Sequence, residues 1–244
     1  MIPSVMPVMV SYKSRLWIKV ALRSFRRFFP DSPLLILDNN PDPGMAGYGP
    51  LIEEERAWIK DWCSQDYRHY FEPTKLFEKN HGLAMDWAAR WCRSYKIRWM
   101  LHIEPDCLID GVEWANRLLA ATQQDIWMVG SHRKFYGPIH PTPSLWDVNR
   151  IQASFREQLR GSDASHPRFS ELMDMKGLMA SLQPREVAYW TSWWDTAQKP
   201  WFDAAIHDRT LLIEESPDFR HFWGGSSFNV DPAKSGDPRV AQYL

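Results

Sequence analysis

Ile97-Arg98-Trp99-Met100-Leu101-His102-Ile103 runs directly into Glu104-Pro105-Asp106. The first seven residues are mostly apolar and of strand length, and the last three form a turn. In an open α/β sheet, ligands sit in the crevice beyond the carboxyl ends of the strands. A strand that ends here therefore delivers two carboxylates, one residue apart, to that edge. Hard oxygen donors suit Mg²⁺ or Mn²⁺, whose remaining positions go to water and substrate phosphates. Pro105 lacks an N–H and fixes φ, which stiffens the acidic turn. An isolated E-x-D is more simply two surface acids on a turn, so the flanking sequence has to decide.

Upstream, strands and helices alternate. Val5 to Val10 is a short apolar run of strand length. Ile18, Ala21, Leu22, Phe25, Phe28 and Phe29 recur at helical spacing, and Pro30 closes the helix. Leu34-Leu35-Ile36-Leu37 predicts a second buried strand ending in the turn cluster Asp38-Asn39-Asn40-Pro41. Leu51, Ile52, Trp58, Ile59, Trp62 and Cys63 mark a second helix, with a short strand after it around 67–71. Leu83, Ala84, Trp87, Ala88, Trp91, Cys92 and Tyr95 form the clearest helical stripe, which leads into the strand before Glu104. A helix over Val112 to Ala121 and a strand at Ile126 to Val129 follow. Apolar strands separated by helices predict a parallel sheet covered on both faces.

The second half is less regular. Residues 137–143 read as a loop or crossing connection, and 151–182 as one or two short helices over the sheet. Residues 185–201 are dense in tryptophan, and Thr210 to Ile213 and the stretch from His221 return to strand. No Ser/Gly-rich linker divides the 244 residues, so a single domain is expected, with 1–130 as its ligand-binding half. With 29 basic and 30 acidic residues the net charge is −1, which gives no electrostatic case for nucleic acid or an anionic membrane. No apolar run is long enough for a bilayer span, which leaves only peripheral membrane contact open. Cys63, Cys92 and Cys107 are odd in number and lack C-x-x-C spacing, which predicts free thiols and a reducing, cytoplasmic setting. The apolar start, Met1 to Val10, lacks a basic region or cleavage site and reads as a first strand. Fourteen tryptophans suit core filling and also stacking on rings or sugar faces.

The ordered set of first strand, Ser11-Tyr12, helix, strand, Asp38-Asn39-Asn40, then Asn80-His81-Gly82-Leu83-Ala84, long helix, strand and Glu104-Pro105-Asp106 resembles the family-2 type of glycosyltransferase with the GT-A fold. The resemblance covers about residues 4–130 well and the remainder loosely. It implies an α/β GT-A domain, a nucleotide-diphosphate sugar as donor, a saccharide or other hydroxyl as acceptor, and Mn²⁺ or Mg²⁺ as cofactor. Residue by residue, Asp106 matches the direct metal ligand and Glu104 the acid nearer the ribose, where the family usually has Asp. Tyr12, beside Ser11, matches a residue stacking on the base, and Asp38 an acid accepting from base or ribose. Asn80 and Gly82 match the N-x-G that opens the long helix on the donor side. Without that frame, Tyr12 reads as a surface aromatic and Asp38 as a turn acid.

The resemblance also implies an inverting reaction with a carboxylate base in the C-terminal half, where the family has an acidic pair opening a helix. Trp193-Trp194-Asp195-Thr196 occupies that place, making Asp195 the candidate base and leaving Trp194 where the first acid is usual. Asp195 reads equally as a helix cap, and Asp147 is a second candidate. His221 precedes Gly224-Gly225-Ser226-Ser227, a segment able to fold as a lid over a phosphate, and matches the C-terminal histidine that GT-A enzymes offer to the metal or diphosphate. His81, His102, His132 and His140 show no metal spacing. Two rival readings stay open. A nucleotidyltransferase would share the sheet, but Ser11 to Arg15 lacks the Gly-rich loop of that class. A non-catalytic member would bind a sugar nucleotide or a partner without transfer.

Overall fold

The structure is a computed structural model that describes residues 4–45, 48–66, 68–73, 81–131, 142–157, 165–173, 197–222 and 231–244. The chain opens with β1 (Val5–Ser11), α1 (Arg15–Phe28), β2 (Leu34–Asp38), α2 (Pro50–Ser64) and β3 (His69–Pro73). It continues through α3 (His81–Ser94), β4 (Trp99–His102), β5 (Cys107–Ile109), α4 (Glu113–Ala120) and β6 (Met128–Ser131). The second half contributes β7 (Ser144–Asp147), α5 (Phe169–Met173), α6 (Gln198–Ala205), β8 (Thr210–Ile213) and β9 (Phe219–His221). Seven strands form one sheet in the order β3-β2-β1-β4-β7-β6-β8, while β5 and β9 pair separately. All neighbours in the large sheet are parallel except β7, which runs antiparallel to both β4 and β6. The expected mostly parallel α/β sheet with helices on both faces is therefore what the chain adopts.

Strand alternation assigns each residue to one of two cores. Met6, Val8, Val10, Leu35, Leu37, Met100, Met128 and Trp146 face α3, α5 and α6. Met9, Leu34, Ile36, Leu101, Val129 and Leu145 face the other way, against α1, α2 and α4. Burying each such side chain is worth about 1.5–3 kcal/mol, so both faces hold the sheet in register. The cysteines belong to this packing as free thiols. Burial pushes Cys63 and Cys92 up to about 12, where thiolate chemistry is suppressed.

A latch of polar groups closes the amino-terminal end of the sheet. Arg26, in the last turn of α1, donates to the carbonyls of Phe29, Pro30 and Ser32 at 2.9, 2.8 and 2.8 Å and also contacts His69. The His69 ring stacks on Trp62 with centroids 3.8 Å apart. Burial, then the Arg26 charge, pull the His69 pKa down to about 4, with Asp66 opposing and Arg68 reinforcing the shift. Arg68 is itself held by Asp66 and Asp31. Between pH 6.5 and 4 the unfolded chain binds the extra proton, so stability falls as pH drops through that window. Allowing for solvent screening, the loss is on the order of 1 kcal/mol. His69→Gln should flatten that part of a stability-against-pH curve measured by urea unfolding.

Candidate metal and donor site

Glu104 and Asp106 leave the carboxyl end of β4 and lead into β5. The β5–β9 ribbon sets Cys107 opposite His221, and the Phe222 N–H donates to the Asp106 carbonyl at 2.8 Å. Backbone pairing thereby carries a distant histidine to the acidic turn. The turn is anchored a second time, because the Glu104 N–H donates to the buried Thr142 hydroxyl at 3.0 Å. The root of the ribbon is fixed by Asp218, which accepts from the Glu113 N–H at 2.6 Å and caps α4. Gly111 is needed there, since a Cβ would lie 2.5 Å from an Asp218 oxygen.

His221 Nε2 lies 2.7 Å from Glu104 Oε2 and 3.1 Å from Asp106 Oδ1. Asp106 and His221 are buried, and Glu104 is half-buried. One donor atom from each of the three residues falls within 4.8 Å of the other two. Burial by itself would lower the His221 pKa, but the two carboxylates override it and raise it to about 9. Burial and the same two carboxylates push the Cys107 thiol well up, so it is no nucleophile. Two carboxylates and one imidazole at this spacing fit a divalent ion such as Mn²⁺ or Mg²⁺, with positions left over for phosphate oxygens and water. Asp106, His221 and Glu104 are the residues that would hold it.

Two further histidines adjoin this cluster. His102, on the same face of β4 as Met100, is fully buried, and its Nε2 lies 3.1 Å from His81 Nε2 at the start of α3. Such a contact needs one ring to donate and the other to accept. Burial lowers the His81 pKa against the raising influence of Glu104 and Asp106. Spacing in the sequence concealed this pair, although His102 stands only two residues before Glu104.

The remaining sequence candidates divide. Ser11 and Tyr12 lie at the carboxyl end of β1, on the same edge as the acids; Tyr12 is half-buried, with burial raising its pKa, and Lys13 Nζ is 5.6 Å from its ring centroid. Gly82 is buried in the first turn of α3. Asp38 is 2 % exposed, and its oxygens are engaged within the fold. One accepts from the Asn40 N–H and Nδ2 at 3.1 and 3.0 Å, and the other is ion-paired with Arg56. Geometry thus favours the turn-acid role for Asp38 over ribose recognition. Asp147 pairs with Trp99 at the opposite end of β4 from the acids and is bonded to Arg98 at 2.8 Å. Asn80, Asp195 and the Gly224–Ser227 stretch lie outside the described residues. Among the described residues, no helix is long and apolar enough to cross a membrane.

No protein-family model and no curated protein matches the sequence. Among solved structures, the chain is similar to the galactosyltransferase LgtC in complex with donor and acceptor sugar analogues, at 13 % identity and a TM-score of 0.49, covering 98 % of this chain and 94 % of that one. It is similar to a cytidylyltransferase from Leptospira borgpetersenii at 8 % identity and a TM-score of 0.49, covering 88 % of this chain and 77 % of that one. A third likeness is to the glycosyltransferase GlyE of Streptococcus pneumoniae, at 13 % identity and a TM-score of 0.47; it covers 86 % of this chain, which spans 45 % of that one.

Proposed function

We propose that the protein is a glycosyltransferase that moves a sugar from a nucleotide diphosphate to an acceptor hydroxyl, with inversion and with a divalent ion, in the cytoplasm. The observation that carries this reading is the convergence of Glu104, Asp106 and His221 at the carboxyl edge of the sheet. When bound, Mn²⁺ or Mg²⁺ supplies Lewis-acid neutralisation of the departing diphosphate. Asp106, His221 and Glu104 would hold the ion and orient that end of the donor, with Glu104 as the acid nearer the ribose. Tyr12 offers its ring to the nucleobase, and Gly82, with Asn80, brings the start of α3 close to the donor. Asp195 takes the proton from the acceptor hydroxyl as its oxygen attacks the anomeric carbon, opposite the leaving diphosphate. Residues 131–244 supply the acceptor side.

A second reading, donor binding without transfer, is favoured by Trp194 where the family carries an acid. One assay separates the two. The protein is incubated with a panel of nucleotide sugars with Mn²⁺ or with chelator, and released nucleoside diphosphate is measured. Mn²⁺-dependent release from one donor is the expected result. Tight Mn²⁺-dependent binding with no release supports the binding protein, and the absence of both contradicts either reading.

A further inference from the structure

The carboxyl ends of β1 and β2 rest on a buried polar network centred on α2. Glu55 is 5 % exposed, and its Oε1 accepts from the Ser14 hydroxyl at 2.9 Å, from Asn40 Nδ2 at 3.3 Å and from the Ser11 hydroxyl. Asn40 in turn accepts the Lys13 N–H on its Oδ1 at 2.6 Å. Lys13 has φ +49°, a left-handed conformation that a side chain makes unfavourable and that this hydrogen bond offsets. Next along α2, Arg56 holds Asp38 and donates to the Asn40 carbonyl and to Asp42, each at 3.1 Å. Two consecutive helical residues therefore tie down the loop after β1 and the loop after β2. The segment Ser11 to Ser14, bonded to Glu55 at both ends, is the one that carries Tyr12.

We propose that Glu55 is a positioning residue for the donor nucleotide: through Ser11, Ser14 and Asn40 it fixes the turn at 11–14 so that the Tyr12 ring is presented as a platform for the nucleobase. This rests on the reading of Tyr12 as a base-stacking residue given above. Removing the Glu55 carboxylate takes the shared acceptor from two buried hydroxyls, Ser11 and Ser14, leaving them only each other to donate to, at 3.3 Å. Asn40 keeps its bonds to Asp38, so the left-handed turn loosens through Ser11 and Ser14, which flank Tyr12 and Lys13. Glutamine keeps the Oε1 acceptor and should preserve the turn. The effect belongs to recognition of the base, since the diphosphate is held by the separate Glu104–Asp106–His221 cluster.

The test compares two probes by calorimetry in the presence of Mn²⁺: inorganic pyrophosphate, and a panel of UDP, GDP, CDP, ADP and dTDP. Amide exchange at Lys13 is followed in parallel. Glu55→Ala should weaken the best nucleoside diphosphate by about tenfold, leave pyrophosphate unchanged and accelerate exchange at Lys13. Glu55→Gln should restore nucleoside diphosphate binding and slow exchange at Lys13, and Ser14→Ala, a milder change to the same network, should cost about threefold on the nucleoside diphosphate alone. Nucleoside diphosphate binding that is unchanged in Glu55→Ala and Ser14→Ala, or that falls in step with pyrophosphate, overturns the proposal while the transferase reading stands. If the native protein binds pyrophosphate as tightly as every nucleoside diphosphate, it has no base platform, and the proposal fails with the reading it rests on.

Discussion

Replacing Asp106 by asparagine is expected to remove Mn²⁺-dependent nucleoside diphosphate binding, with a loss of about a hundredfold or more. Groups one shell out from a metal are commonly worth about 10–100-fold in affinity, and Asp106 is placed to contact the ion itself. The substitution removes the anionic charge and keeps the shape. The fold should survive, because the β5–β9 ribbon is held by backbone pairing and by the Asp106 carbonyl on the Phe222 N–H, and asparagine keeps an Oδ1 acceptor toward His221. Calorimetry with and without Mn²⁺ measures the loss, and a melting curve checks the fold. Unchanged metal-dependent affinity would remove Asp106 from the site.

Asp195→Asn is expected to lower turnover by about 10²–10⁴-fold, the usual contribution of a general base, with donor affinity nearly unchanged. A base acts on the acceptor proton in the transition state, so its removal leaves ground-state donor binding in place. The measurement is steady-state turnover beside calorimetry with the same donor. A parallel fall of both would make Asp195 a binding or structural residue. Asp147 would not then take its place, since its position beside Trp99 and Arg98 puts it at the far end of the sheet.

The first half of the fold was legible because its strands are buried on both faces. Met6 to Val10, Leu34 to Leu37 and Trp99 to Leu101 are near-continuous apolar runs, and the helices between them carry clear periodic stripes. β7 was not legible. Ser144-Leu145-Trp146-Asp147 holds only two apolar residues, one for each core, and its antiparallel sense is set by pairing with β4 and β6. β5 has three residues and takes its shape from β9. The acidic turn was readable as a strand terminus, but its partner His221 came only from a family resemblance. Sequence cannot show that Cys107 and His221 face each other. Glu55 was hidden inside Glu53-Glu54-Glu55-Arg56, which looks like a solvated helix face. The helical period gives it away, since Glu55 lies three residues after buried Ile52 and four before buried Ile59. A charged residue on the buried stripe of a helix has a partner inside the fold, and here that partner set is the turn carrying Tyr12.

Under the proposed function, Glu104, Asp106 and His221 form a divalent metal site for the donor diphosphate. Crystals grown with Mn²⁺ and the nucleoside diphosphate that binds best in solution, with anomalous scattering recorded at the manganese edge, test it most directly. The expected result is one strong anomalous peak about 2.0–2.3 Å from Asp106 and Glu104 oxygens and His221 Nε2, with diphosphate oxygens completing the shell. A bound nucleotide with no peak at this cluster, or a peak held by other residues, would contradict it.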